Sequence, residues 1–183
     1  MSGIKNMKHK GRIQKGCTAY DCLSMKLDKD CREIAKEVYN NLSKKYPDLV
    51  FRSKVPPSEI PGGIGACQPD GGVWYYKGMV IAAFECKKQQ NKGNAIERWF
   101  KNNRILRYIC SNISYVTFAI GAGAKSGGVI EKCLHIEHSE GRGLFNIYSP
   151  GKNSCFMREN GYEKQEIYDI MVNVLLERIE NAR

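Results

Sequence analysis

Two carboxylates and one ammonium group stand close together in the stretch from Cys67 to Gln90. Asp70 follows a proline and precedes two glycines, and Glu85 and Lys87 come at the end of an apolar run. Charges at the end of a buried strand cost free energy unless partner groups or ions compensate them. These three residues are therefore the first candidates for a catalytic site.

A predicted β-hairpin carries these charges. The segments Val73–Tyr76 and Met79–Lys87 have the β-branched and aromatic composition of strands. Lys77 and Gly78 between them suit a two-residue turn. The hairpin places the beginning of the first strand beside the end of the second, which is where the charges occur.

The register of this hairpin predicts which charges meet. A turn at Lys77-Gly78 sets Asp70 directly opposite Glu85, and a loop longer by two residues sets it opposite Ala83, on the same face. Lys87 lies two residues beyond Glu85 and so shares that face as well. We expect the three side chains to gather at one end of a sheet.

Two adjacent carboxylates repel each other unless a proton or a cation lies between them. Mg²⁺ suits this place because it prefers oxygen ligands, commonly one or two carboxylates with water and phosphate oxygens. Asp70 and Glu85 would be its ligands, and Lys87 would orient the attacking water in the hydrolysis of a phosphodiester. The alternative is a surface ion pair between these residues with no chemistry.

The overall charge points to an anionic partner. The 183 residues carry a formal net charge of +10, and residues 1–16 hold five Lys or Arg and no acid, which predicts a flexible basic arm. No apolar run approaches the ~20 residues that span a bilayer, and no export signal is recognisable. We therefore expect a cytoplasmic, nucleic-acid-binding protein with free thiols.

The order of predicted elements indicates one domain over residues 1–183, with an α/β, α+β-like fold: a mixed sheet of about five strands flanked by helices. The remaining predicted elements are helices at about Lys29–Lys44, Ala95–Ile109 and Lys164–Asn181, and strands at Ile113–Ile120, Val129–His138 and Leu144–Tyr148. Asp28 and Asp30 are cap candidates for the first helix.

Three segments between Cys67 and Gly123 resemble a known family. PDGG followed by ECKKQ resembles the PD-(D/E)XK nuclease core, and GNAIER, Gly93 to Arg98, resembles the recognition segment of EcoRI-type type II restriction endonucleases. YVTFAIGAG, from Tyr115, is similar to the core strand that follows. The resemblance implies a restriction-endonuclease-like core.

The resemblance also implies roles for particular residues. Asp70 and Glu85 would hold Mg²⁺, and Lys87 would be the catalytic lysine. The residues that would contact the bases of an AATT core are Asn94, Ala95, Glu97 and Arg98.

The same segment has a plain structural explanation, because Asn94 is a good helix N-cap and Glu97 stands where a capping box needs it. Lys101 continues a basic stripe at spacing three, which contacts phosphates or is simply solvated. Lys125, in a glycine-rich loop, either contacts DNA or belongs to a surface turn.

The resemblance implies a type II restriction endonuclease that hydrolyses double-stranded DNA with Mg²⁺ at a palindromic site and leaves 5′ overhangs. A palindromic site favours a homodimer, and a cognate DNA methyltransferase would protect the host. Two rival functions remain: a repair or junction-resolving nuclease of the same core without sequence specificity, and a non-catalytic basic nucleic-acid-binding protein.

Overall fold

The computed structural model describes residues 8–9, 12–13, 19–60, 62, 65–88, 95–120, 153–158 and 162–182, with side chains for 26–60, 62, 65–86, 101–118 and 162–182. The elements are β1 (Lys8–His9), β2 (Arg12–Ile13), α1 (Ala19–Leu42), β3 (Leu49–Arg52), β4 (Val73–Tyr76), β5 (Met79–Lys88), α2 (Ala95–Ile109), β6 (Ser114–Ile120), β7 (Asn153–Arg158) and α3 (Lys164–Asn181).

Five strands form a mixed sheet in the order β3-β4-β5-β6-β7. The first three are antiparallel neighbours, whereas β5, β6 and β7 run parallel. The change occurs at β5 because α2 carries the chain back over the sheet before β6, as a parallel pair requires. The predicted α+β architecture, a mixed sheet flanked by helices, is confirmed.

Helices cover both faces of the sheet, and β5 alternates between them. Phe84 and Cys86 pack into the core formed with α1 and α3. Ala83 packs into a second core with Leu106 of α2 and residues of β4 and β6. Successive strand residues point to opposite faces, so Glu85 belongs on the α2 side.

Two helices match their predicted bounds, and the first is longer than predicted. Residues Ala95–Ile109 and Lys164–Asn181 are helical as expected, but α1 begins at Ala19. Asp30 is no cap, because it is buried and accepts a hydrogen bond from Tyr162 at 2.7 Å. Lys164 lies 3.2 Å from its other oxygen, so this carboxylate joins α1 to the start of α3.

The strands show both agreement and difference. Strands β4 and β5 agree with the prediction, with β5 one residue longer, and the predicted Ile113–Ile120 is observed as Ser114–Ile120. Strands β3 and β7 and the pair β1–β2 were not predicted. The predicted strands at 129–138 and 144–148 lie outside the described residues. None of the described helices has the length and apolarity needed to cross a membrane.

The hairpin turn and the turn after Asp70 both use residues with positive φ. Lys77 has φ 49° and Gly78 has φ 77°, as a two-residue hairpin loop of the predicted kind requires. Gly72 has φ 76°, and a Cβ atom there would lie 2.1 Å from the Phe51 ring and 2.9 Å from the carbonyl oxygen of Arg52. A side chain is therefore excluded at Gly72 by both conformation and space.

These two glycines form a matched pair for a stability test. Gly78→Ala meets no atom within 4 Å and adds only left-handed backbone strain, which costs about 1–2 kcal/mol. Gly72→Ala adds the same strain and a collision, so we expect it to lower the free energy of unfolding by at least about 2 kcal/mol more. Urea denaturation of both variants measures the difference, and equal losses would contradict the packing at Gly72.

Candidate active site

A β-bulge sets the geometry of the hairpin. Pairing starts at Tyr76 and Met79 as predicted, but shifts by one residue so that Trp74 pairs with Ala82. Ile81 is therefore an extra residue on β5. A shift of one residue exchanges the faces on which facing side chains lie, because strand side chains alternate.

The bulge changes the position predicted for Asp70. The backbone N–H of Gly71 donates to the carbonyl oxygen of Phe84 at 2.9 Å, and Asp70 lies in the turn just before it. Both predicted registers, with Asp70 opposite Glu85 or Ala83, are therefore wrong. Asp70 is at the end of the sheet, beyond the strand ladder.

Glu85 is a buried carboxylate held by two neutral donors. Its side chain lies in central strand β5, and the residue is only 2% exposed. The Asn102 amide donates to Oε2 at 3.1 Å, and the Tyr115 hydroxyl donates to the same oxygen at 3.3 Å. One donor comes from α2 and the other from β6, so three elements fix the orientation of this carboxylate.

Asp70 contacts the opposite side of the sheet end. Its Oδ1 lies 3.7 Å from Nη1 of Arg32 on α1, and its side chain is about one-fifth exposed. It borders an open groove of about 280 Å³ that is also lined by Lys36 and Phe51. Asp70 is thus open to a ligand from the α1 side, whereas Glu85 is enclosed on the α2 side.

The Tyr115 phenol is influenced by both carboxylates. Burial raises its pKa well above the usual range, and the negative charges of Glu85 and, more weakly, Asp70 raise it further. The phenol is therefore a permanent donor at neutral pH. The Asp70 and Glu85 side chains do not face each other, since their contacts lie on different sides of the sheet end.

The thiols near this place remain protonated. Burial, with a smaller contribution from Glu85, raises the pKa of Cys67 to about 12. Burial and a hydrogen bond with Cys31 raise the pKa of Cys86 well above its usual value. The donors that Asp70 and Glu85 offer at this end of the sheet are hard carboxylate oxygens, which suit Mg²⁺ better than Zn²⁺.

Asp70 and Glu85 lie at the same end of the sheet but contact different sides of it. Among the described residues, no group of three or more His, Cys, Asp or Glu side chains is placed to hold a metal ion. A pair of carboxylates is nevertheless a common protein contribution to a Mg²⁺ site, since water and phosphate complete the octahedron. Asp70 and Glu85 therefore fit such an ion by the chemistry of their oxygens.

The other predicted site residues are placed only in part. Lys87 lies in β5 and pairs with Ala119 of β6, but its side chain is outside the described part. Ala95 begins α2 at the predicted residue, and Glu97 and Arg98 lie in its first turn; their side chains are not described. Asn94 and Lys125 lie outside the described residues.

The basic stripe on α2 does not form one uniform surface. Lys101 lies beside Gly65, with its Nζ 3.4 Å from where a Cβ would stand, and it lowers the pKa of Cys67. Arg107 donates to the side chain of Asn103 at 2.8 Å and so serves the helix itself. Lys101 therefore faces the Glu85 side of the sheet, whereas the Arg107 guanidinium is already hydrogen-bonded within the helix.

Three residues of the site were not predicted from the sequence: Arg32, Asn102 and Tyr115. Asn102 had a detectable signal, because asparagine is a poor helix former and here it interrupts an apolar helix face. Tyr115 was assigned only to a buried strand. Arg32 has no local signal, since its role depends on how α1 packs near Asp70.

The raised pKa of Cys67 predicts a pH dependence of stability. The unfolded thiol titrates near 9.0 and the folded one near 12, so the folded state favours the protonated form. Its contribution to stability is complete below pH 9 and is lost as the pH rises towards 12. We expect Cys67→Ala to flatten the decline in free energy of unfolding across that interval. An unchanged slope in Cys67→Ala would contradict the assignment.

No protein-family model, no curated protein and no solved structure matches this chain. Its function is therefore argued from the site itself: a buried carboxylate on the central strand, a second carboxylate at the end of the sheet, and a helix that returns from that end.

Proposed function

We propose that the protein is a Mg²⁺-dependent nuclease of the PD-(D/E)XK kind that hydrolyses phosphodiester bonds in double-stranded DNA. The observation that carries the proposal is the position of Asp70 and Glu85 at one end of β4 and β5, with the Glu85 carboxylate held by Asn102 and Tyr115. Lys87 follows two residues after Glu85 in β5. The net charge of +10 supports a nucleic-acid substrate.

The fold supports the same proposal. The strand that carries Glu85 is central, is antiparallel to β4 and parallel to β6, and is followed by the α2 crossover. This arrangement is compatible with the restriction-endonuclease-like core that the resemblance implies. Asp70 on the preceding turn and Glu85 on the central strand would then be the metal ligands.

Each residue has a defined part in the proposed reaction. When bound, Mg²⁺ would supply Lewis acidity and lower the pKa of a water molecule. Asn102 and Tyr115 hold the Glu85 carboxylate in one orientation, so little reorganisation is needed when a substrate binds. Asp70 meets the substrate from the exposed side, and Lys87 would orient the attacking water.

We further propose a type II restriction endonuclease that cuts at a palindromic site with an AATT core and leaves 5′ overhangs. The support is the sequence GNAIER at the start of α2, which begins only a few residues after the Glu85 strand. Asn94, Ala95, Glu97 and Arg98 would read bases, and Lys101 and Lys125 would contact the backbone. A homodimer and a cognate methyltransferase belong to this proposal.

Neutral isosteres test the carboxylates. We expect Asp70→Asn and Glu85→Gln each to lower the Mg²⁺-dependent cleavage rate of plasmid DNA by at least about a hundredfold, because a lost ligand weakens charge stabilisation in the transition state. Lys87→Ala should lose cleavage to a similar extent. Binding of duplex DNA should persist in all three variants, as measured by fluorescence anisotropy in Ca²⁺.

The control for this series is Glu33→Gln. Glu33 is an exposed carboxylate on α1 that pairs with Lys29 at 3.7 Å and borders a different groove, next to α3. It should cleave at the wild-type rate. Wild-type cleavage by Asp70→Asn or Glu85→Gln would refute the proposed metal ligands, and absence of any Mg²⁺-dependent cleavage by the wild-type protein would favour the non-catalytic DNA-binding protein.

Sequence specificity has a separate test. Digestion of plasmid and genomic DNA with Mg²⁺, followed by sequencing of the ends, should yield fragments whose 5′ overhangs all contain AATT. The physical reason is that each wrong base pair in a directly read site costs about 1–3 kcal/mol. Ends of random sequence would still support nuclease activity, but they would favour the repair or junction-resolving function over a restriction endonuclease.

A further inference from the structure

The groove beside Asp70 is lined mainly by basic and polar side chains. It lies between α1, the end of β3 and the turn that carries Asp70. Arg32 and Lys36 line it from α1, and Ser53 and Gln68 add polar groups. Its volume of about 280 Å³ is slightly below the usual range for small-ligand sites (roughly 300–1,000 Å³), which suits a single phosphate group better than a whole ligand.

The residues of helix α1 that line the two grooves differ in the sign of their charge. Arg32 and Lys36 are four residues apart, hence one turn apart on the same face, and both border the groove at Asp70. Glu33 and Glu37 occupy the neighbouring stripe and border the other groove, against α3. The two α1 side chains that line the groove at Asp70 are therefore both cationic, and Asp28 lies one turn before Arg32 on the same face.

The contact between Arg32 and Asp70 is loose compared with a structural ion pair. Their closest described N–O distance is 3.7 Å, and the Arg32 side chain is about half exposed. The Arg52 guanidinium, in contrast, donates to both oxygens of Glu59 at 2.6 and 2.7 Å. A guanidinium that is held weakly can turn towards a phosphate, which it binds through two parallel hydrogen bonds.

We propose that Arg32 and Lys36 form a phosphate-binding site in this groove for the backbone of the DNA strand whose scissile bond lies at Asp70. Identification of the strand rests on the proposed nuclease function, whereas the phosphate contact rests on the groove alone. The two cations bind a phosphate adjacent to the scissile one and so align the strand with Asp70. They read no base, because contacts to phosphate oxygens carry no sequence information.

The test is the salt dependence of DNA binding. Full-length wild-type protein, Arg32→Gln and Lys36→Gln are titrated against a 20-bp fluorescent duplex in Ca²⁺, at several salt concentrations. A lost phosphate contact should weaken binding about tenfold at low salt for Arg32→Gln, less for Lys36→Gln, and should reduce the slope of log K against log salt by about one. The loss should be equal on duplexes with and without AATT.

Lys29→Gln is the matched control, because Lys29 lies on the same helix, carries the same charge and pairs with Glu33 away from the groove. It should bind with nearly the wild-type affinity and salt slope. Equal weakening by Lys29→Gln and Arg32→Gln would overturn the proposal in favour of a diffuse charge effect. Wild-type binding by both groove variants would overturn it as well.

Failure of this site and failure of the proposed nuclease function give different results. If the wild-type protein never cleaves DNA but Arg32→Gln still lowers the salt slope, the phosphate-binding site is supported and the proposed nuclease function is refuted. If Asp70→Asn abolishes cleavage while Arg32→Gln binds as wild type and only alters the Mg²⁺ concentration needed, Arg32 acts through Asp70 and the phosphate site is refuted. If the wild-type protein binds single-stranded DNA or RNA more tightly than duplex DNA, the choice of duplex DNA as the ligand is refuted.

Discussion

The burial of one carboxylate is the constraint on which the centre of this structure depends. An ionised Glu side chain that is almost inaccessible to water is unfavourable unless its oxygens are bound. The Asn102 amide and the Tyr115 phenol meet that need from α2 and β6. The position of the crossover helix and the parallel pairing of β6 are thus tied to a buried polar group.

Much of the framework follows from local sequence patterns. The hairpin turn at Lys77-Gly78 and the bounds of α2 and α3 could be predicted because they depend on turn residues and apolar periodicity. The relation of Asp70 to Glu85 could not be predicted, because a bulge adds one residue without any composition of its own. The prediction of Asp30 as a helix cap is wrong because its actual partners, Tyr162 and Lys164, are far away in sequence and leave no local signal.

The two sides of the sheet end have different physical properties. The Glu85 side is enclosed, with the Cys67 thiol in the core on that side and the Asn102 and Tyr115 donors on the carboxylate. The Asp70 side is open and cationic, because α1 turns Arg32 and Lys36 towards it. The two carboxylates therefore differ in access, since Asp70 borders an open groove whereas Glu85 is only 2% exposed.

The contacts of the site also differ in how far apart in sequence the contacting residues are. The hairpin that carries Asp70 and Glu85 joins strands separated by two residues, and hairpins of this kind form within about 1–10 μs. The Asn102 and Tyr115 contacts need the crossover through α2, which pairs Ala82 with Ser114. Non-local pairing of this kind is slower to form. The burial of Glu85 therefore depends on the non-local crossover, whereas the local hairpin alone brings Asp70 and Glu85 to one end of the sheet.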